Sequence, residues 1–219
     1  MNDELPAWMS EVLSEARLRA YVDFMRGDGP GAVRLYRWNV EASAALFGPF
    51  HWLEVALRNS VHNRLSEHHA RPDWWAVAPL DGGGVRKVAE ARRNCLGRGK
   101  AGTPDDIVAE LSFGFWGKLL TRSNDRGFWV PVVHKAFPGY QGSRRVLADQ
   151  VLSLVLLRNR IMHHEPIHHR DLREDHAKLY RVMGYVNQDL AKDVRAMDRF
   201  PAILADKPRA LRDDRQPRF

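Results

Sequence analysis

"VLSLVLLRNRIMHHEPIHH" (residues 151–169) sets the reading of the whole chain. Apart from Ser153, residues 151 to 157 are all apolar, and Val146 and Leu147 extend the run upstream. A helix that is apolar nearly all round lies at the centre of a domain or turns one face to an oligomer interface. The run is far shorter than the roughly 18–20 residues of a membrane span. Polar chemistry follows at once: Arg158, Asn159 and Arg160, then His163, His164, His168 and His169. Pro166 stops the helix and biases Glu165 away from helical backbone, so the histidines fall in the last turn and just beyond it. The negative helix end favours cations there, which is expected to raise the histidine pKa values.

Outward from this segment the chain reads as helix throughout. Residues 10–27 suggest one helix, with Ser10 as its cap and Gly27 as its stop. After the break at "GDGPG" (27–31), a second is expected over 32–46, a turn at "FGPF" (47–50), and a third over 50–69. The third carries an apolar stripe at Leu53, Leu57, Val61 and Leu65. "RPDWWAVAPLDGGG" (71–84) reads as a loop whose two tryptophans, Trp74 and Trp75, either plug the core, the favoured reading, or stack bases, followed by a short helix over 85–96. Thr103, Pro104, Asp105 and Asp106 form a helix start, opening one helix through "IVAELSFGFWGKLL" (107–120). Phe113, Phe115, Trp116, Leu119 and Leu120 are candidate core, and Gly114 and Gly117 suggest close helix packing. Later helices are expected over 143–164 and 171–190, with a continuation or restart to 205. The fold class is all-α, a single-domain helical bundle over 1–205, with a charged flexible tail over 206–219.

Composition narrows the partners. Lys and Arg number 34 against 27 Asp and Glu, a net charge of +7 with pI near 9.8, which suits a polyanion such as nucleic acid and equally suits simple solubility. One cysteine, Cys95, forms neither an internal disulfide nor a zinc ribbon, so a reducing compartment is expected. "MNDELPAWMSEV" (1–12) lacks a basic region leading an apolar core. No leader and a cytoplasmic location are therefore the expectation, with no membrane partner.

Arg158 and His163 are five residues apart, about 140° around an ideal helix. Gripping one phosphate with both requires arginine's length, an unwound last turn, or a second chain. His163 and His164 point in different directions, so one of them at most is the primary imidazole of its own chain.

The pattern of Arg158, Asn159, a three-residue spacer and His163 resembles the signature of HEPN-superfamily ribonucleases. "RNRIMHHEPI" (158–167) is similar to the Abi-like (abortive infection) branch, as are "ELSFGFWGKLL" (110–120) and "HWLEVALRNSVHNRL" (51–65). Together these matches span 51–167. The resemblance implies a HEPN-like helical bundle that dimerises so that both signatures line one cleft. It also implies a metal-independent endoribonuclease needing no cofactor, a phage-defence or toxin effector. In that chemistry the RNA 2′-hydroxyl attacks the adjacent phosphorus, leaving 2′,3′-cyclic phosphate and 5′-hydroxyl ends. His163 suits a general base or acid, and Arg158 a donor to the charged phosphorane. Asn159 would orient a neighbour or the substrate, and His164 would take the second proton transfer or contact RNA. The implied partners are RNA, with tRNA one candidate, a second copy of the chain, and a neutralising antitoxin. The alternative is a catalytically inactive RNA- or protein-binding module.

Three further groups are weighed. Glu54, Arg58 and His62, each four apart and joined by Asn59, form a polar stripe, either a surface ion-pair ladder or the second wall of a cleft. "RRNCLGRGK" (92–100) offers Arg92, Arg93, Arg98 and Lys100 as phosphate contacts, with Arg160 a further candidate; an exposed flexible loop explains it as well. "HHEPIHH" has ligand chemistry, but only His164 and His168 are four apart and Pro166 lies between them, so no metal is expected.

Overall fold

Leu53, Leu57, Val61 and Leu65 repeat every four residues, and all four are fully buried. In the computed structural model, which describes residues 5–212, the helix that carries them is far longer than its own pattern. The helices are α1 (Ala7–Leu13), α2 (Glu15–Phe24), α3 (Gly29–His69), α4 (Gly82–Gly97), α5 (Pro104–Glu110), α6 (Phe113–Lys118), α7 (Arg144–Met162), α8 (Leu172–Val186), α9 (Gln188–Ala196), α10 (Phe200–Ala205) and α11 (Lys207–Arg212). Short 3-10 turns lie at 74–76, 122–124 and 133–136, and a π turn at 125–129. No strand occurs among the described residues, so the protein is all-α. No helix among them is long and apolar enough to cross a membrane.

Local boundaries depart from the sequence pattern in four places. The helix expected over 10–27 is two, because Ser14 takes φ 68 and its Oγ accepts from the Arg17 N–H at 3.4 Å. The turn expected at 47–50 is absent, and α3 runs 41 residues with Pro49 inside it. An interior proline costs about 3 kcal/mol. Burial of Leu46 and Phe50 beside it stabilises by roughly 1.5–3 kcal/mol for each side chain, enough to offset that cost. The single helix expected from 104 to 120 breaks at Leu111, and the Ser112 hydroxyl starts α6 by accepting from the Phe115 N–H. Thr103 and Asp106 do form the capping box that opens α5. Between α8 and α9, Asn187 restarts the helix by accepting from the Leu190 N–H at 2.9 Å.

By density of contacts the chain forms two compact units, where the sequence suggested one domain over 1–205. The first comprises Met1–Phe50, Leu157–His176 and Ala196–Phe219. Its core gathers Met9, Leu18 and Val33, with Leu5, Leu13 and Tyr36 against them. The Trp38 indole donates to the Ile203 carbonyl at 3.1 Å, and Arg34 donates to the Leu211 carbonyl at 2.7 Å. Residues 207–212, expected in the flexible tail, form a helix packed through Ala210 and the Arg34 bond. The remainder of that tail, 213–219, lies outside the described residues.

The second unit comprises His51–Leu156 and Ala177–Arg195. The Trp74 ring packs against Trp75, Phe115, Trp116 and Phe128 at centroid distances of 5.4–6.5 Å, so it does plug the core. All five residues expected as core between Phe113 and Leu120 are buried. The glycines of α6 differ. A Cβ on Gly117 would meet Val151 at 3.3 Å and Val155 at 3.4 Å, whereas one on Gly114 would meet nothing closer than 3.6 Å. Gly114→Ala is expected to stabilise by about 0.5–1 kcal/mol through helix propensity. Gly117→Leu is expected to cost about 1–3 kcal/mol by overpacking. Urea midpoints of the two variants moving in the same direction would contradict this.

Candidate functional site

The end of α7 is closed, not unwound. The His163 N–H bonds the Asn159 carbonyl at 2.9 Å, continuing the helical pattern. The His164 N–H then bonds Ile161 O at 3.1 Å and the Glu165 N–H bonds Arg160 O at 2.8 Å, while His164 takes φ 58. This pair of bonds with a left-handed residue is a Schellman turn, usually made with glycine; histidine tolerates that backbone better than most side chains. Of the three routes by which Arg158 and His163 could grip one phosphate, unwinding of the last turn is therefore removed. Arginine's length and a second chain remain.

His163, His164 and Glu165 are exposed, whereas Arg158 and Asn159 are half-buried. The segment after the turn is pinned by Asn39, whose Oδ1 accepts from the Ile167 N–H at 2.8 Å and the His168 N–H at 3.1 Å. Three cations hold carbonyls along it. Arg17 donates to His164 O at 2.7 Å, Arg160 to Pro166 O at 3.2 Å, and Lys207 to His168 O at 3.0 Å. Arg160 also lies 3.6 Å from the Glu165 carboxylate, so part of its charge is spent within the turn. Sequence reasoning found Arg160 but missed Arg17, Asn39 and Lys207. Asn39 had one usable signal, a lone amide among apolar neighbours on α3; the other two had none.

The histidines separate by environment. His168 is 5% exposed, with its ring 5.0 Å from Tyr21 and 4.7 Å from Phe24, and neither ring nitrogen has a partner. Burial, then the neighbouring His169 and Lys207, push its pKa down to about 4. His169 is also lowered, by burial first and then by Arg160, Arg170 and Lys207. The expected upward shift thus fails for both, because they lie past the helix end among cations and apolar walls. Between pH 6.5 and about 4 an unfolded His168 binds a proton that the folded one refuses. Stability is fully present above pH 6.5 and falls by roughly 1.4 kcal/mol per pH unit through that window. His168→Phe is expected to flatten this acid limb in thermal melts taken from pH 7 to 4; an unchanged slope would contradict the assignment.

Among the described residues no group of three or more His, Cys, Asp or Glu side chains is placed to hold a metal ion. The one pair with helical spacing is split, since His164 is exposed and His168 buried.

In the second unit, His62 is committed to structure. Its Nδ1 accepts from the Trp74 indole N–H at 3.1 Å, and its Nε2 lies 3.4 Å from the Ser66 hydroxyl. Accepting at Nδ1 leaves Nε2 as the protonated nitrogen of a neutral ring. Burial lowers the His62 pKa, partly opposed by Asp105. Arg58 reaches Asn59 Oδ1 at 3.3 Å and Ala109 O at 3.4 Å. Glu54, on the same helix, is half-buried. Of the basic segment, Arg98 pairs with Glu110 at 2.9 Å and Lys100 lies 3.8 Å from Asp106, so both are locally balanced. Arg92 and Arg93 are exposed on α4.

Fold and site together define an all-α protein with an exposed histidine pair at the end of α7, followed by a segment whose carbonyls are held by cations. Compared with protein-family models, with curated proteins and with solved structures, the chain matches none.

Proposed function

We propose that the chain is a metal-independent endoribonuclease of the HEPN, Abi-like kind, acting as a homodimeric phage-defence or toxin effector. The observation that carries this reading is the exposed pair His163 and His164 at the end of α7, with the segment after it held through the His164, Pro166 and His168 carbonyls by Arg17, Arg160 and Lys207. A bare helix C-terminus repels phosphate. The backbone N–H groups of His163, His164 and Glu165 occupy the last carbonyls of α7, and the Arg17 guanidinium on the His164 carbonyl brings positive charge to that end. His163 is the proton-transfer group, with His164 the second, and Arg158 donates to the phosphorane. Asn159 orients the substrate. Arg92 and Arg93 supply phosphate contacts. RNA is the substrate, tRNA one class of it, and an antitoxin a further partner.

A second reading, an inactive RNA- or protein-binding module, is favoured by the closed last turn. That turn keeps Arg158 and His163 about 140° apart on one chain.

The deciding experiment incubates total RNA in EDTA with the wild type, His163→Ala and Arg158→Ala. Cutting that resists the chelator, leaves cyclic-phosphate ends and is lost in both variants is the expected result. Binding without cutting selects the second reading. Neither binding nor cutting removes both, leaving a helical protein-interaction module.

A further inference from the structure

Beside the His164 turn, within the first unit, lies a groove of about 540 Å³. Its walls include Tyr21, Tyr36, Asn39, Phe47, Met162 and His164. The volume falls within the roughly 300–1,000 Å³ of small-ligand pockets. Tyr21 meets Tyr36 edge to face at 5.2 Å, which holds the Tyr36 ring in place. Phe47 is 51% exposed, an open aromatic ring at the groove's edge. Such a slot accepts a flat, weakly polar ring, as aromatic platforms for unpaired bases do.

Ser43 and Asn39 are the short polar side chains that line it. Asn39 is only 4% exposed, and its Oδ1 accepts two backbone N–H bonds. Two donors demand an oxygen at that position, so the amide cannot be flipped. Its Nδ2 makes no hydrogen bond among the described residues, although Asn39 lines the groove. That donor is open to solvent in the groove, and a ligand acceptor would take the place of water there.

We infer that the groove is the subsite for one unpaired RNA base with a carbonyl where adenine and cytosine carry an amino group, uracil or guanine, read by the Asn39 amide N–H. This rests on the reading of the His163–His164 turn as the RNA-processing site, and deepens it. The free donor suits the uracil or guanine carbonyl. Adenine is disfavoured, because its N1 or N7 can take the free donor only with the adenine amino group set against an amide oxygen that already accepts two bonds. A base seated here brings its phosphate towards His164, whose own carbonyl is held by Arg17 at 2.7 Å.

The test uses uncleavable 2′-O-methylated oligo(U) and oligo(A), with binding followed by fluorescence anisotropy in EDTA. The wild type should bind oligo(U) about tenfold more tightly than oligo(A), the scale of the net contribution of one hydrogen bond. Asn39→Asp keeps an oxygen for the two backbone donors and removes the free donor, and should erase the preference. Ala44→Phe plugs the groove from an exposed helical position, so it tests the same point without threatening the core, and should also erase it. Equal binding of the two oligonucleotides by the wild type, or a preference untouched by Ala44→Phe, overturns the inference. So does sedimentation showing that Ala44→Phe breaks a dimer while leaving oligonucleotide binding intact, since the groove would then be a contact between copies. A preference that Ala44→Phe removes, in a protein that cuts no RNA, keeps the subsite and sinks the nuclease. Cutting that depends on His163, with base preference unchanged by Ala44→Phe, does the reverse.

Discussion

His163→Ala should lower the rate of RNA cleavage by about 10²–10⁴-fold, the scale of one lost proton-transfer group. The side chain is exposed, and the backbone bond that closes α7 does not depend on it. Thermal unfolding of the variant should therefore match the wild type, which separates lost chemistry from lost fold. Arg158→Ala should remove about 10²–10³-fold through loss of donors to the phosphorane. Arg158→Lys should rescue little, because a point charge cannot reproduce the planar fork. If the two groups act on one linkage, the double variant should be no slower than the worse single one. Full activity in His163→Ala would end the nuclease proposal, and cutting that EDTA abolishes would end its metal-independent form.

Trp74→Ala carries the largest expected effect on stability. The ring is buried among Trp75, Phe115, Trp116 and Phe128, and its N–H is the donor to His62 Nδ1. Truncating a buried tryptophan costs about 3–5 kcal/mol, and the deserted His62 nitrogen adds to it. The melting temperature should drop by roughly 6–20 °C for a chain of this size. Trp74→Phe keeps most of the packing and loses the hydrogen bond, so its cost should be nearer 1 kcal/mol. Equal losses in the two variants, read from denaturant midpoints, would show that the hydrogen bond and not the packing dominates.

The His62 bond also shows where a sequence pattern misleads. Arg58, Asn59 and His62 look like a second copy of Arg158, Asn159 and His163, yet His62 is held by Trp74, twelve residues away. Nothing in a periodicity reveals which indole will reach an imidazole. The basic segment 92–100 behaves likewise: its charges were legible, but Glu110 and Asp106, which balance Arg98 and Lys100, stand on α5. His168 shared a motif with His163 and His164, and packing against Tyr21 and Phe24 set it apart.

By itself the sequence determined the helical class, the α3 stripe, the Thr103 cap, the core position of "FGFWGKLL" and the stop of α7 near Pro166. These rest on interactions within four residues, or on a repeat that one apolar face imposes. Only tertiary structure decided that Pro49 would be carried through α3, that residues 207–212 would pack as a helix, and that Asn39, Arg17 and Lys207 would converge on the turn after α7. The first depends on burial of Leu46 and Phe50, and the others on partners tens to more than a hundred residues away, so burial and hydrogen bonding outweigh local preference.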